Sequence, residues 1–304
     1  MKKATRPLRV ACVGHASLDH VFTIDAFPSA PTKTAATGYR AQAGGMSFNA
    51  AVAAARLGAT VRLIGRVGDD DAAEFLRQRL QDEGIQAQGL ETVPGTATSV
   101  SAIVVDADGA RQIYSHRGSA LSRAHALDIR LLEGADVVLA DPRWVAGAEA
   151  ALRWARERQL LSLLDADVAP RADLLRLVPL AHWAVFSEDG LQCWRPGATA
   201  ASALPEICAA GCAVAMVTCG EHGSWRSAGG AAMHQAAPAV VALDTTAAGD
   251  VFHAALAVAL AEGSNAADAV HFASAAAAFK CERGAGVWGA PTRRELMRWM
   301  KSGR

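Results

Sequence analysis

A carboxylate able to take a proton, set beside backbone amides able to hold an anion, is the chemistry suggested by LDTTAAGDVFHAALAVALAEG, which runs from Leu243 to Gly263. After Asp250, the residues Phe252, Leu256, Ala259 and Leu260 recur at helical spacing until Gly263 supplies a stop. The preceding AVVALD (239–244) has a strand's composition, so Thr245, Thr246, Ala247, Ala248 and Gly249 form a turn from strand into helix. Small residues there let N–H groups approach an anion closely, and the positive end of the helix dipole favours negative charge. A phosphate fits such a turn. Asp250 then reads either as an acidic residue stabilising a first helical turn or as a base aimed at a hydroxyl beside that phosphate.

A second constellation is AGGMSFNAAVAAARLGA (43–59). Gly44 and Gly45 allow close backbone approach, Asn49 offers both a donor and an acceptor, and the Ala-rich helix ends at Gly58. His253, one turn beyond Asp250, reads as a packing residue.

The elements that must position these groups alternate along the chain. LRVACVG (8–14), TVRLIGRVG (60–68), DVVLAD (136–141), LLSLLDAD (160–167), HWAVFSE (182–188) and AVAMVTCG (213–220) are compact apolar runs that predict buried strands. Helical patterns such as 149–158 and 265–283 lie between them, which argues for an α/β fold with a mostly parallel sheet covered on both faces. Segments 20–43 and 98–117 break the pattern with β-type alternation and no helix, and DADG (106–109) suits a hairpin turn. They predict a small half-exposed sheet projecting as a lid.

Composition narrows the function classes. Thirty basic and thirty acidic residues cancel over 304 positions, so no global field favours nucleic acid or an anionic membrane. The six cysteines show no zinc spacing and read as reduced thiols of a cytoplasmic protein. The basic start MKKATRPLRVACVG lacks a signal peptide's apolar run, and no apolar segment approaches membrane length. Neither a G-x-x-x-x-G-K-[ST] loop nor a strand-linked G-x-G-x-x-G is present.

Together and in this order, the two constellations resemble the ribokinase-like (PfkB) family of sugar and nucleoside kinases. Gly44, Gly45 and Asn49 match its first signature. Asp244, Thr245, Ala248, Gly249 and Asp250 match its D-T-x-G-A-G-D signature, with Ala247 in place of the first Gly. GRVGDDD (65–71) is similar too, and TCGEHGS (218–224) looks like the family's Thr-x-Gly-x-x-Gly nucleotide loop. The resemblance implies a three-layer sandwich with a β-sheet lid, forming one kinase domain over 1–304, and a homodimer joined through the lid by the apolar face of strands 20–25 and 100–105.

It also implies roles. Asp250 takes the proton of the acceptor hydroxyl while the amides of Ala247, Ala248 and Gly249 hold the transferring phosphoryl group. ATP arrives with Mg²⁺, its nucleotide on Ser187, Thr218, Gly220, Gly223, Thr246 and Gly249, with a monovalent cation as a further option. Asp19, Gly44, Gly45 and Asn49 meet the sugar. The family's Asn-x-x-Glu metal motif falls on FSEDGL (186–191), where Ser187 and Gly190 stand at its key places and leave Glu188 to reach the metal through water. Ala247 requires a negative φ or mild strain.

Several stretches, among them VVLADPRW (137–144), LLDADVAP (163–170) and GDVFHAALAVAL (249–260), resemble the bacterial sulfofructose kinase branch. That implies a ketose with a terminal sulfonate, for which Lys33 and Arg143 are the cationic candidates, with Ser115 standing where that branch has Asn. The alternatives are an ordinary sugar or sugar acid (fructose, ribose, 2-keto-3-deoxygluconate), a nucleoside, or a sugar-binding regulator without catalysis.

Overall fold

The computed structural model describes residues 6–118, 120–123 and 125–302, so the first five residues of the basic N-terminal run lie outside it. In chain order its elements are β1 (Arg9–Gly14), β2 (Ser17–Thr23), β3 (Gly38–Gly44), α1 (Met46–Arg56), β4 (Thr60–Val67), α2 (Asp71–Asp82), β5 (Gln86–Thr92), β6 (Val100–Val105), β7 (Arg111–His116), β8 (Val137–Ala140), α3 (Val145–Glu157), β9 (Leu161–Ala166), α4 (Arg171–Leu177), β10 (Trp183–Ser187), α5 (Glu188–Trp194), α6 (Ala200–Ala209), β11 (Val214–Thr218), β12 (Ser224–Ser227), β13 (Met233–Gln235), α7 (Ala248–Ala261), α8 (Ala266–Arg283) and α9 (Arg293–Lys301).

Nine strands form the main sheet in the order β13-β12-β11-β10-β9-β8-β1-β4-β5, parallel from β11 to β5 and antiparallel only at the β12 and β13 edge. Alternate residues of each strand bury on opposite faces, which is why the strands read as unbroken apolar runs. Val10 and Cys12 belong to the core shared with α1, α7 and α8, whereas Ala11 and Val13 belong to the core under α3, α4 and α6. Strand order reverses beside β1, where β4 lies on one side and β8 on the other. Crevices for ligands open beyond the C-terminal ends of strands at such a switch point.

The second sheet has the order β3-β2-β6-β7, with β2 and β6 parallel and the outer pairs antiparallel. The DADG turn closes β6 onto β7, with the Asp106 amide donating to the Ala110 carbonyl and Gly109 at φ 83°. One face of this sheet turns inward, carrying Asp19, Val21, Ser101 and Ile103 at 8% exposure or less.

One expectation fails here. Residues 239–244 are not a strand, because no strand of the sheet lies beside them and Val241 and Leu243 are 80% and 73% exposed. The segment is anchored at its end, where the amides of Leu243 and Asp244 both donate to the carbonyl of Cys281 in α8. Val240 packs on the core and lines the cavity with Ala239 and Ala242, while Val241 and Leu243 face outward, so the apolar run comes from a cavity wall rather than a strand and composition alone misreads it.

Candidate active site

The N-terminus of α7 carries the first half of the site. Helices α2, α5, α6, α8 and α9 are capped by the side chains of Asp70, Ser187, Thr199, Asn265 and Thr292, whereas α7, like α1, α3 and α4, has no side-chain cap. The first amides of a helix lack intrahelical acceptors. The Ala248 amide turns back to the Thr245 carbonyl at 3.2 Å, and with no side-chain cap the amide of Gly249 that follows is left for an acceptor that a phosphate's oxygens can supply.

Ala247 stands at the cap position in the left-handed region, at φ 63° and ψ 12°. Of the two outcomes expected for that residue, strain is the one observed. An L-residue there costs roughly 1 kcal/mol relative to glycine. Ala247→Gly should therefore raise unfolding stability by about 1 kcal/mol in denaturant titration while retaining turnover; unchanged or lower stability would show that the turn is not strained.

The second half comes from α1. Gly45 caps it at φ 98°, and an added Cβ there would lie 2.6 Å from the His15 carbonyl oxygen, so a side chain is barred by both conformation and space. This close approach sets the start of α1 against the β1–β2 connection, where the Phe48 amide donates to His15. Asn49 is thereby aimed at α7, and its Nδ2 donates to Asp250 Oδ2 at 2.7 Å. Two motifs 201 residues apart meet in that one bond.

Burial, and next the charge of Asp165, push the Asp250 carboxyl well above the usual carboxylate range, while the Asn49 bond and the charge of His253 oppose them. His253 Nδ1 lies 3.3 Å from Asp165 Oδ2, and both side chains are buried. His253 is thus more than packing, since its ring faces the Asp165 carboxylate beside the candidate base, and the charge of Asp165 raises its pKa against burial.

On one side of Asp250 opens a cavity of about 720 Å³. Thr218, Gly220 and Gly223 line it from the turn after β11, and Thr245, Ala248 and Gly249 line it from the uncapped turn. Four of the six expected nucleotide residues therefore lie on the cavity. Thr246 sits just behind it, its amide bound to Asp244 Oδ1 at 2.8 Å and its hydroxyl 3.4 Å from Arg111 of β7. Ser187 spends its hydroxyl elsewhere, capping α5 at Gly190 and donating to Asp167 at 2.7 Å.

Small residues of α8, Ser274, Ala277, Ala278 and Cys281, complete the wall. Their helical spacing looks like an ordinary core stripe, so no sequence signal distinguishes them.

On the other side lies the small sheet. Asp19 accepts from Ser17 Oγ at 3.0 Å, and burial raises its pKa. Gly44 lies directly against it, since a Cβ there would stand 2.0 Å from Asp19 Oδ2. Ser115 is exposed on β7 with its hydroxyl 3.2 Å from that of Ser101. Lys33 is exposed in the loop between β2 and β3.

Arg143 is engaged with Asp167 at 3.2 Å and with the Val168 carbonyl. Arg117, which sequence reasoning passed over, lies near enough to Arg143 that burial and then this second charge lower its pKa. His15 between them is kept neutral, its pKa brought down to about 4 by burial, although Asp141 opposes this.

Among the described residues no group of three or more His, Cys, Asp or Glu side chains could hold a metal ion. Position 190 cannot carry the family's glutamate here, because any Cβ would stand 2.1 Å from the Ala166 carbonyl oxygen. Glu188 is exposed at the first turn of α5.

A family model described as pfkB family carbohydrate kinase matches residues 8–293. Ribokinase of Bacillus subtilis is 32% identical over 293 residues, covering 94% of this chain and 97% of that protein. Fructokinase of Vibrio alginolyticus is 25% identical over 279 residues, covering 84% and 91%. The crystal structure of a provisionally assigned ribokinase from Agrobacterium tumefaciens matches with a TM-score of 0.92 at 34% identity, covering 98% and 99%.

Proposed function

This chain belongs to the pfkB family of carbohydrate kinases, and from that premise we propose that it transfers the γ-phosphoryl group of ATP to a hydroxyl of a sugar of the ribose or fructose kind. The observation that carries the reading is the Asn49–Asp250 bond, which sets a carboxylate at an uncapped helix start between the cavity and the Asp19 side. ATP lies in the cavity against Thr218, Gly220, Gly223 and Gly249, with its γ-phosphate at the Gly249 amide at the start of α7. Asp250 receives the proton of the attacking hydroxyl, and Asn49, Asp19 and the Gly44–Gly45 backbone orient the sugar. Positioning and charge neutralisation supply most of the catalysis of phosphoryl transfer.

Mg²⁺ fits this site as a partner of the phosphates. It keeps several waters and needs only one or two carboxylates, so the lack of a carboxylate cage among the described residues is no obstacle, and Glu188 would be the side chain to hold it. When bound, it neutralises charge on the phosphate oxygens. The small sheet acts as a lid that keeps water from the phosphoryl group.

A second reading, a ketose with an anionic end such as sulfofructose, is favoured by Arg117 beside Arg143 at the end of β8. The names of the relatives, ribokinase and fructokinase, favour the neutral sugar. Both are tested by ATP-dependent ADP release across ribose, fructose, sulfofructose, sugar acids and nucleosides, with Arg117→Ala and Arg143→Ala beside the wild type. Preference for ribose or fructose that survives both substitutions supports the first reading. Preference for sulfofructose that collapses in either supports the second, and turnover of nucleosides alone defeats both.

The lid also provides a surface for a second copy of the chain. Strand alternation turns Val21 and Ile103 inward, leaving Phe22, Tyr39, Ala102, Val104 and Tyr114 on the outer face. Tyr39 and Tyr114 are 60% and 64% exposed. The chain is expected to sediment as a homodimer, and Tyr39→Asp with Tyr114→Asp to sediment as a monomer; a dimer that persists in this double variant would place the interface elsewhere.

A further inference from the structure

Lys280, in the last turn of α8, is fully buried, although an ammonium group in a protein interior is costly unless it is paired. Its Nζ donates to the carbonyl of Asp244 at 2.6 Å and lies 3.5 Å from Asp244 Oδ2. That carboxylate is held from two further sides, by the amides of Thr246 at 2.8 Å and Gly286 at 2.7 Å. Burial raises its pKa, but these amides bring it down to about 2, so it faces the ammonium as an anion. The negative end of α8 adds to the field that welcomes a cation.

This knot sits behind the uncapped turn rather than on the sugar or nucleotide side. Asp244 begins the turn, Gly249 ends it, and the neighbouring Cys281 both lines the cavity and receives the amides of Leu243 and Asp244. The charge therefore stitches the base of the turn to the end of α8. A neutral side chain would fill the space equally well, but it could not compensate a carbonyl and a carboxylate that converge on one point.

We infer that Lys280 is a tethered monovalent cation, a positioning residue whose ammonium holds the Asp244–Gly249 turn with its amides presented to the transferring phosphoryl group, so that turnover needs no dissolved monovalent cation. The inference rests on the kinase reading above. Its single positive charge does the work that a potassium or ammonium ion would do among the same oxygens.

The test compares wild type, Lys280→Ala, which vacates the space, and Lys280→Met, which fills it without charge. On whichever sugar the wild type phosphorylates, wild-type rates are the same in potassium, ammonium or tetramethylammonium chloride at equal ionic strength. Both variants lose about a hundredfold in kcat, the scale of a misplaced oxyanion donor, with KM for sugar and ATP changing little. Potassium or ammonium restores part of the Lys280→Ala loss, tetramethylammonium restores none, and no cation restores Lys280→Met.

Thermal unfolding supplies a readout that needs no turnover. Small cations raise the midpoint of Lys280→Ala above its value in tetramethylammonium, but not that of wild type or Lys280→Met. If the wild type phosphorylates no sugar offered, the kinase reading fails and unfolding alone decides the inference. Wild-type activation by potassium, wild-type kcat in Lys280→Ala, or a loss and midpoint in Lys280→Ala indifferent to every small cation would each overturn it.

Discussion

Asp250→Asn lowers kcat by at least about a hundredfold, the lower scale for losing a general base. The amide keeps the side chain's size and can still accept from Asn49, so sugar and ATP binding measured by calorimetry stay within a few-fold of wild type. Because the base works as a carboxylate, the wild-type rate falls as pH drops through its pKa. Burial and the charge of Asp165 lift that pKa, so the acid limb lies above the ordinary carboxylate range. The same shift has a consequence for stability. A carboxyl whose folded pKa is raised favours the fold when protonated, and that advantage is lost as pH rises through the folded value. Ionising Asp250 in its buried place costs stability, so above that pKa the Asn variant, which cannot ionise, unfolds at a higher temperature than wild type. Wild-type turnover in the variant would remove Asp250 from the mechanism.

The second large effect is expected at Gly44. Its missing side chain leaves room for Asp19, which a Cβ would meet at 2.0 Å. Gly44→Ala drives that carboxylate off its place, and since Asp19 also bonds Ser17 on the same inward face, the displacement spreads along β2. Sugar hydroxyls then lose an oriented acceptor, worth about 1.5–3 kcal/mol for a charged hydrogen bond, or roughly ten- to a hundredfold in KM. KM for ATP stays unchanged because the nucleotide cavity lies on the far side of Asp250. Asp19→Ala gives the same pattern. A rise in both KM values would mean that Gly44 acts through the fold as a whole rather than through the sugar.

The strands of the parallel sheet were legible because each is buried on both faces and so reads as an apolar run with sharp ends, as VACVG and VAMVT do. The two Gly- and Ala-rich helix starts were legible because close backbone approach restricts residue type at a few consecutive positions. What stayed hidden depends on distance in space. Nothing in AVVALD indicates that no strand lies beside it, and nothing in LLDAD pairs Asp165 with His253. Arg143 resembles a free cation until Asp167 is seen 3.2 Å away. Ser274, Ala277 and Ala278 face a cavity, yet the same small residues would suit a helix packed against another helix. Lys280 looks like a surface lysine in the last turn of a helix, and only its burial against Asp244 reveals otherwise.

The bond between Asn49 and Asp250 also has a bearing on how the chain is made. The base, the turn that would hold the phosphoryl group and the buried lysine behind it all arise after residue 243, whereas α1, the small sheet and most of the parallel strands emerge from the ribosome first. Contacts between such distant segments form late, because the intervening loop must be closed before they repay it. A polypeptide interrupted before its last fifth would therefore carry much of the sugar side and the nucleotide turn at 218–223, but neither the base nor the turn at 245–249. Synthesis aborted before that point leaves fragments that lack the base rather than an enzyme able to spend ATP without its sugar, a consequence of the order in which the parts are written.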